Sequence, residues 1–391
     1  MMDHMTAAIS EILPEITALR HELHAHPEAG FEEEWTSDRI ARFLGEAGIA
    51  CKRGYARGTG IVADIEGEGR KTIALRADMD GLEMQEESRL PYVSKVPNRM
   101  HACGHDGHAA CLCGAAKIFA RHRERLRGRV RLIFQPAEEP VSGASCMVSE
   151  GVMNGVDAVF ALHAWPALPA GHIGVRAGTI MAGASRFRIT VHGKGCHGAE
   201  PAAGIDPVVA AAHITTVLQT VVSRELDPLE TGVVTVGRIV AGTAPNIIPE
   251  TATLEGTCRA LTTEDGATLA RSVQRIAEHT ARALRATAEV EFQEVPCPPT
   301  VNDPRMVDLV RATIGATLGH DKSVEIARPS MAAEDFAFYL QKAPGALLWL
   351  GNAPGDGRPP ASLHSACFDF NDETIPAALA LLTGIATRFF Q

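Results

Sequence analysis

Three apolar segments of strand length each end in acidic or histidine side chains. These segments, with the side chains that follow them, are residues 72–77 with Asp78 and Asp80, 129–134 with Glu138 and Glu139, and 158–162 with His163. In an open α/β sheet the carboxyl ends of parallel strands meet at one edge, where such sheets bind ligands. The pattern therefore predicts an α/β domain with a central twisted sheet flanked by helices and a polar site along one sheet edge.

The middle of the chain has a different pattern. Predicted strands and helices follow the order β-α-β-β-α-β, and their ranges are 187–191, 206–222, 233–240, 251–259, 263–284 and 288–292. This is the order of a ferredoxin-like α+β unit. Because the first pattern resumes after Cys297, we predict one domain formed by residues 1–183 and 297–391, interrupted by an inserted domain of residues 184–296.

Composition narrows the class of function. The formal net charge of -10 argues against a nucleic-acid binder, because neutralising phosphates requires a basic surface. The N-terminal residues lack the pattern of a signal peptide, and no apolar run is long enough to span a membrane. The nine cysteines are scattered and odd in number, which is typical of reduced thiols. We therefore expect a cytoplasmic protein that binds neither nucleic acid nor membrane.

Residue types that bind metals are concentrated between His101 and His108. Cys103 and His105 are separated by one glycine, so both side chains can face one ion from a turn before a helix. Such pairs are common by chance, and a zinc site usually needs four ligands. Further candidates at predicted strand ends or in a loop are Glu139, His163 and His364. The complete set is large enough for two divalent ions.

Other polar residues near this set fit supporting roles. His101 and His108 lie three or four residues from His105, and we interpret them as capping or orienting groups. Asp78 and Asp80 share one face of a strand end, because side chains two apart on a strand point the same way. Either aspartate could bind an ion or orient a ligand histidine.

Glu138 and Glu139 are adjacent acids that follow an apolar strand. Such a pair usually forms a solvated turn, because like charges repel. If one carboxylate binds a cation, its neighbour can accept a proton from water whose pKa the ion lowers. Spacing alone does not decide which glutamate has which role. The pair nevertheless indicates metal-assisted hydrolysis, and motifs of serine hydrolases, phosphate loops and zinc-protease helices are absent from the sequence.

Several motifs together resemble the aminoacylase/carboxypeptidase family of two-metal metallopeptidases. They are RHELH at 20–24, RADMD at 76–80, MHACGHDGH at 100–108, QPAEE at 135–139, His163, GCH at 195–197, APNIIP at 244–249, EDF at 334–336 and LH at 363–364. Within that family the chain is most similar to hippurate hydrolases, bacterial N-acyl-amino-acid amidohydrolases and plant auxin-conjugate hydrolases. The resemblance extends over nearly the whole chain.

The resemblance implies a reaction and a cofactor. The reaction is cleavage of an N-acyl amino acid, hippurate-like or N-acetylated, to a free amino acid and a carboxylic acid. A dipeptidase or carboxypeptidase activity is the alternative within the family. The implied cofactor is two divalent ions per subunit, zinc first, with manganese, cobalt or nickel as alternatives.

The resemblance also implies a role for each candidate residue. The implied metal ligands are Cys103, His105, Glu139, His163 and His364, with the thiolate bridging the two ions. Glu138 would be the general base. Asp80 would orient a metal-binding residue without itself binding the metal. At Asp78 the chain differs from many members, which have a metal-binding histidine there.

The inserted domain would then be a lid through which the chain forms a homodimer or a homo-oligomer built from such dimers. His197 would reach the neighbouring subunit's active site and stabilise the oxyanion, while Asn246 and Arg259 would contact the substrate from the lid.

Two other classes of function compete with this interpretation. One is a thiol-based redox or metal-sensing protein centred on Cys103. A thiol nucleophile or redox sensor would tolerate chelators but not alkylation. The other is a metal-binding module without catalysis. The second is disfavoured because a structural metal site is closed and needs no general base.

Overall fold

A computed structural model describes residues 2–140, 142–355 and 357–391 of the chain. The chain divides into two compact units, and the second interrupts the first. The first unit holds the chain up to Ile180 together with Val301–Arg328 and Asp335–Gln391, and the second holds Met181–Thr300 and Pro329–Glu334. The assignment of residues 1–183 and 297–391 to one domain and of 184–296 to the other stays a prediction.

The strands and helices have the following bounds. The strands are β1 (Cys51–Tyr55), β2 (Gly60–Ile65), β3 (Thr72–Asp78), β4 (Arg129–Gln135), β5 (Ala158–Pro169), β6 (Ile173–Val175), β7 (Gly178–Met181), β8 (Gly183–His192), β9 (Cys196–His197), β10 (Gly232–Ala241), β11 (Ile247–Ile248), β12 (Thr251–Ala260), β13 (Thr287–Phe292), β14 (Thr300–Asn302), β15 (Ser323–Glu325) and β16 (Gly345–Ala353). The helices are α1 (Met2–His24), α2 (Glu34–Glu46), α3 (His105–Arg121), α4 (Gly143–Ser149), α5 (Pro207–Thr220), α6 (Thr263–Ala283), α7 (Pro304–Thr317), α8 (Ala337–Leu340) and α9 (Ile375–Phe389).

The first unit is built on a mixed sheet of eight strands in the order β1-β2-β4-β3-β5-β16-β6-β15. The central strands β4, β3, β5 and β16 run parallel to their neighbours in this group. The pairs β1–β2, β2–β4 and β6–β16 are antiparallel. The polar segments that follow β3 and β4 therefore lie at the same edge of the sheet. The predicted α/β architecture with flanking helices is confirmed, with a sheet that is mixed rather than wholly parallel.

Helices α1, α3, α7 and α9 pack on one another beside this sheet. The apolar side chains of α1 recur every three or four residues, which places them on one face of a helix. That face is buried, and its residues are Ile9, Ile12, Ile16, Leu19 and Leu23. Helix α3 is buried from His105 to Ala116, so the residues that precede it are held deep in the unit.

Arg20 joins α1 to the C-terminal part of the chain through buried polar contacts. Its guanidinium donates to Asp372 Oδ1 at 2.9 Å, to Asp369 Oδ1 at 2.8 Å and to the Tyr92 hydroxyl at 2.8 Å. The Arg20 side chain is fully buried. A buried charge is tolerated only when its partners replace the hydrogen bonds of water, so this cluster holds α1 against the segment before α9.

The second unit has the element order β8-α5-β10-β12-α6-β13, and its antiparallel sheet has the order β10-β12-β8-β13. Its core packs Ile189 and Leu254 of the sheet against Ile214 and Leu218 of α5 and Val273 of α6. The predicted ferredoxin-like α+β unit is therefore confirmed. Among the residues that the structure describes, no helix is both long and apolar enough to cross a membrane.

Replacing Arg20 with alanine should lower the free energy of unfolding by about 3–5 kcal/mol, because the fully buried Asp106 and the partly buried Asp369 and Asp372 lose their shared cation. Urea denaturation followed by circular dichroism measures this change. Arg42→Ala, at an exposed position of α2, is the matched control and should change the free energy by less than about 0.5 kcal/mol. Equal effects of the two substitutions would contradict this account of the cluster.

Candidate metal centre

Cys103 and His105 lie in a tight turn before α3. Gly104 between them has a φ of 88°, in the left-handed region that glycine adopts without a Cβ clash. The turn brings both side chains towards His163 in β5, so that one ligand atom of each residue lies within 4.8 Å of the others. All three side chains are buried. A thiol and two imidazoles thus converge on one point.

Hydrogen bonds fix the tautomers of the two histidines. His105 Nδ1 donates to the Asp80 carbonyl oxygen at 2.9 Å, and His163 Nδ1 donates to the Ala164 carbonyl oxygen at 2.8 Å. Because each neutral ring has its proton on Nδ1, both Nε2 atoms keep a lone pair. His163 Nε2 is 3.4 Å from Cys103 Sγ, and His105 Nε2 is buried without a hydrogen-bond partner among the described residues. This set of sulfur and nitrogen donors fits a divalent ion such as zinc.

A second group of donors shares Cys103 with the first. Ligand atoms of Cys103, Glu139 and His364 lie within 4.8 Å of one another, and His364 Nε2 is 3.3 Å from Glu139 Oε1. The hydrogen bond to Glu139 raises the pKa of His364. The backbone N–H of His364 donates to the Ala102 carbonyl at 2.8 Å, which holds this loop beside Cys103. The two donor groups therefore share the Cys103 sulfur.

The surroundings of Cys103 argue against a thiol nucleophile. Burial, together with the Glu139 carboxylate, raises the pKa of the Cys103 thiol. The thiolate is the reactive form of cysteine, so a raised pKa lowers reactivity. A divalent ion has the opposite effect, because it stabilises the thiolate that binds it. The site therefore suits a metal ligand better than a redox-active cysteine.

Asp78, His105 and His108 also lie close together, but hydrogen bonds already occupy this group. Asp78 accepts from Arg76 Nη1 and from His108 Nδ1, each at 2.6 Å. His108 Nε2 accepts from the backbone N–H of Ala164 at 2.7 Å. Both ring nitrogens of His108 are thus used, and a guanidinium lies against Asp78. The polar atoms of Asp78 and His108 are therefore already hydrogen-bonded, and we do not propose a further ion site here.

Glu138 lies in the loop that follows β4. Its side chain is buried, and its carboxylate lies within 4.8 Å of ligand atoms of His105 and Glu139. Ala137, just before it, has a φ of 55°, a conformation that costs a non-glycine residue about 1 kcal/mol or more. The loop therefore needs support from neighbouring elements to direct Glu138 towards the donor groups.

Asp80 connects this loop to the histidine ligands. One carboxylate oxygen lies 3.1 Å from His105 Nδ1, and the other accepts from the backbone N–H of Glu139 at 3.0 Å. Asp80 is buried, so neither contact competes with bulk water. A carboxylate that fixes a ligand histidine raises its basicity and fixes its orientation. The contacts of Asp80 are those of an orienting residue.

Several residues that hold this site in place had no role predicted from the sequence. Arg76 Nε donates to Gln135 Oε1 at 2.8 Å, and Arg76 Nη2 donates to Asp335 Oδ1 at 3.1 Å. Asp335 also accepts from Gln135 Nε2 at 2.7 Å and from the backbone N–H of Ala144 at 2.9 Å. Arg76 and Asp335 belong to motifs that carried the family resemblance, and this was their only signal. Their contacts hold both ends of the loop that contains Glu138.

The candidate residues of the second unit lie in two places. His197 and Asn246 are neighbours, because His197 pairs with Ile247 and the N–H of Gly198 donates to the Asn246 carbonyl at 2.8 Å. Arg259 lies eight residues beyond Thr251 along β12, which is about 26 Å at 3.3 Å per residue. Its guanidinium donates to the Met331 carbonyl at 3.1 Å. This unit therefore brings His197 and Asn246 together but not Arg259.

Replacing Asp80 with alanine should weaken metal binding about 10- to 100-fold, because His105 and the Glu139 backbone lose a shared acceptor. Competition with a chromogenic chelator measures the affinity. Glu83→Ala, at an exposed position three residues away, is the control and should leave the affinity unchanged. Wild-type affinity in the Asp80 variant would contradict the orienting role.

Comparison with known proteins identifies the relatives of this chain. Residues 74–388 match the family described as Peptidase family M20/M25/M40. An IAA-amino acid hydrolase, ILR1-like 4, of Arabidopsis thaliana is 40% identical over 377 residues, which cover 96% of this chain and 85% of the relative. An N-acetylcysteine deacetylase of Bacillus subtilis is 40% identical over 361 residues, covering 92% and 93% of the two chains.

A solved structure gives the same result. The YXEP protein of Bacillus subtilis, described as a dinuclear metal binding peptidase from the M20 family, superposes with a TM-score of 0.84 at 35% identity, covering 97% of this chain and 99% of that one. The expected family and the expected class of metal-dependent amide hydrolase are both confirmed. The chain is a member of the peptidase family M20/M25/M40.

Proposed function

We propose that this protein uses two divalent ions to hydrolyse the amide bond of an N-acyl amino acid. The observation that carries the proposal is the pair of donor groups that share Cys103, with the carboxylate of Glu138 beside them. The class of reaction follows from membership of the family. The proposed ligands are Cys103, His105, Glu139, His163 and His364.

The ions would supply Lewis acidity, which polarises an amide carbonyl and makes a water molecule more acidic. Glu138 accepts a proton from the attacking water as the water oxygen bonds to the carbonyl carbon. It then delivers that proton to the leaving nitrogen as the C–N bond breaks. The products are a carboxylic acid and a free amino acid. Mixed sulfur, nitrogen and carboxylate ligands favour zinc, and manganese, cobalt and nickel are the alternatives.

His197 is suited to stabilise the oxyanion. Its Nδ1 accepts from the backbone N–H of Ala199 at 3.1 Å, so the neutral ring has its proton on Nε2. An N–H donor directed at a developing oxyanion stabilises the transition state. In this proposal His197 acts in the active site of the neighbouring subunit with Asn246 beside it, and Asn246 and Arg259 contact the substrate from the lid. Arg259 lies eight residues beyond Thr251 along β12, so it is not part of the His197–Asn246 pair.

The substrate class rests on the relatives. One acts by name on IAA-amino acids and the other on N-acetylcysteine, and both substrates are N-acyl amino acids. A panel of N-acetyl, N-benzoyl and N-indoleacetyl amino acids with unblocked dipeptides tests the proposal. Turnover of dipeptides alone would favour the dipeptidase or carboxypeptidase alternative. The nine cysteines are free, which supports a cytoplasmic location as part of the proposal.

Replacing each of the two adjacent glutamates should have a different effect on turnover and on metal binding. With the best substrate of the panel, Glu138→Ala should lower kcat by about 10²- to 10⁴-fold while two ions stay bound, because only the base is lost. Glu139→Ala should lose bound metal. Steady-state kinetics and elemental analysis of the same samples measure both properties. Near-normal turnover of the Glu138 variant would overturn its assignment as the base.

Mixing two inactive variants tests the role of His197 across the dimer. After subunit exchange, Glu138→Ala and His197→Ala should recover about a quarter of wild-type activity, because half of the dimers contain one complete site. Glu138→Ala mixed with Glu139→Ala is the control and should recover none, since both residues belong to the same subunit's site. No recovery in dimers shown to have exchanged would contradict the role, as would a monomer in solution.

A further inference from the structure

Glu33 is a buried carboxylate outside the proposed ligand set. It directly precedes α2, and the chain has three consecutive acids at this point, Glu32, Glu33 and Glu34. Glu33 is buried, whereas Glu32 and Glu34 are exposed. A carboxylate before a helix usually caps it, but the Glu33 side chain makes no capping hydrogen bond to α2, a helix that is described over its full length. Its burial therefore needs another explanation.

The carboxylate of Glu33 accepts a hydrogen bond from the loop that contains Glu138. One oxygen accepts from the backbone N–H of Ala137 at 2.8 Å, and the other accepts from the Thr59 hydroxyl at 2.9 Å. Ala137 has the left-handed conformation described above. The chain also passes close by, since a Cβ added to Gly30 would lie 3.0 Å from Ala137 Cα. Glu33 thus supports the strained residue next to the proposed base.

The backbone on the other side of Glu138 is held in the same way. The N–H of Glu139 donates to Asp80 at 3.0 Å. The backbone N–H groups of the residues before and after Glu138 are therefore bonded to two buried carboxylates that come from different parts of the fold. These two bonds restrict the backbone on both sides of Glu138.

We infer that Glu33 is a positioning residue for Glu138, and this inference rests on the proposed role of Glu138 as the base. Without Glu33, the buried N–H of Ala137 loses its acceptor, and the loop can relax from its left-handed conformation. A small displacement of a catalytic group lowers the rate of the chemical step far more than it changes substrate binding.

The protonation state of Glu33 does not change this role. Burial and the negative charge of Asp80 raise the pKa of Glu33 to about 7. A neutral carboxyl still accepts from Ala137 through its carbonyl oxygen and can donate to Thr59. Glutamine has the shape and the acceptor of that neutral form, so it is a conservative replacement that separates the hydrogen bond from the charge.

In the metal-loaded enzyme, Glu33→Ala should lower kcat about 10- to 100-fold, with KM and metal content within about twofold of wild type. Glu33→Gln should restore kcat to within about threefold of wild type. Glu34→Ala is the matched control, because it removes an exposed acid one position away, and it should behave as wild type. A higher KM with normal kcat in Glu33→Ala, or loss of bound metal, would overturn the inference.

A double variant tests whether Glu33 acts through Glu138. In the Glu138→Ala background, Glu33→Ala should change the residual kcat by less than about twofold, because the group that it positions is gone. A full additional loss would overturn the inference. High activity in Glu138→Ala alone would instead overturn the proposed function. Failure of the inference and failure of the proposed function therefore give different results.

A shorter acid keeps the inference testable if Glu33→Ala does not fold. Glu33→Asp retains the charge but is one methylene shorter, so its carboxylate withdraws from the Ala137 N–H. It should lower kcat by more than Glu33→Gln does. Wild-type kcat in Glu33→Asp would overturn the inference.

Discussion

The polar site of the first unit depends on the buried thiol of Cys103. It lies where two groups of donors meet, one with His105 and His163 and the other with Glu139 and His364. Burial and the nearby Glu139 carboxylate raise the pKa of the Cys103 thiol, so the thiol is protonated when no ion is bound. Binding of a divalent ion must therefore displace a proton, and metal binding to this site couples to pH.

The hydrogen bonds of the residues around the donors hold the donor side chains in fixed orientations. Nδ1 of His105 and Nδ1 of His163 each donate to a backbone carbonyl, which leaves Nε2 of these two rings for an ion. Two buried carboxylates, Asp80 and Glu33, accept hydrogen bonds from the backbone N–H groups of the residues on either side of Glu138. Flexible side chains thereby acquire fixed directions before any substrate binds. Such preorganisation is what metal-assisted hydrolysis requires, because reorganisation during the reaction would add to its barrier.

Much of this arrangement could be predicted from sequence because it follows local patterns. The apolar runs of β3, β4 and β5 predicted where these strands begin, and they predicted the ends of β3 and β4 to within one residue. Strands β6 and β15 were missed because three residues are too few to show an alternating pattern. Strand β5 continues to Pro169, well beyond its predicted end, because pairing with β16 extends it past His163. Pairing of this kind depends on residues far apart in the chain.

The supporting residues were hard to predict for a related reason. Glu33 has the same local sequence context as the exposed Glu32 and Glu34, and only the tertiary fold places it against Ala137. The role of Asp78 stayed open until its contacts with Arg76 and His108 were visible. The separation of Arg259 from His197 depends on the length and register of β12, which the motif spacing does not contain.

Anomalous X-ray scattering from crystals of the metal-loaded enzyme locates the bound ions. We predict two metal peaks about 3.5–4 Å apart. With zinc, both should lie about 2.3 Å from Cys103 Sγ. A single peak enclosed by four protein ligands, or two peaks of which neither contacts Cys103, would contradict this prediction.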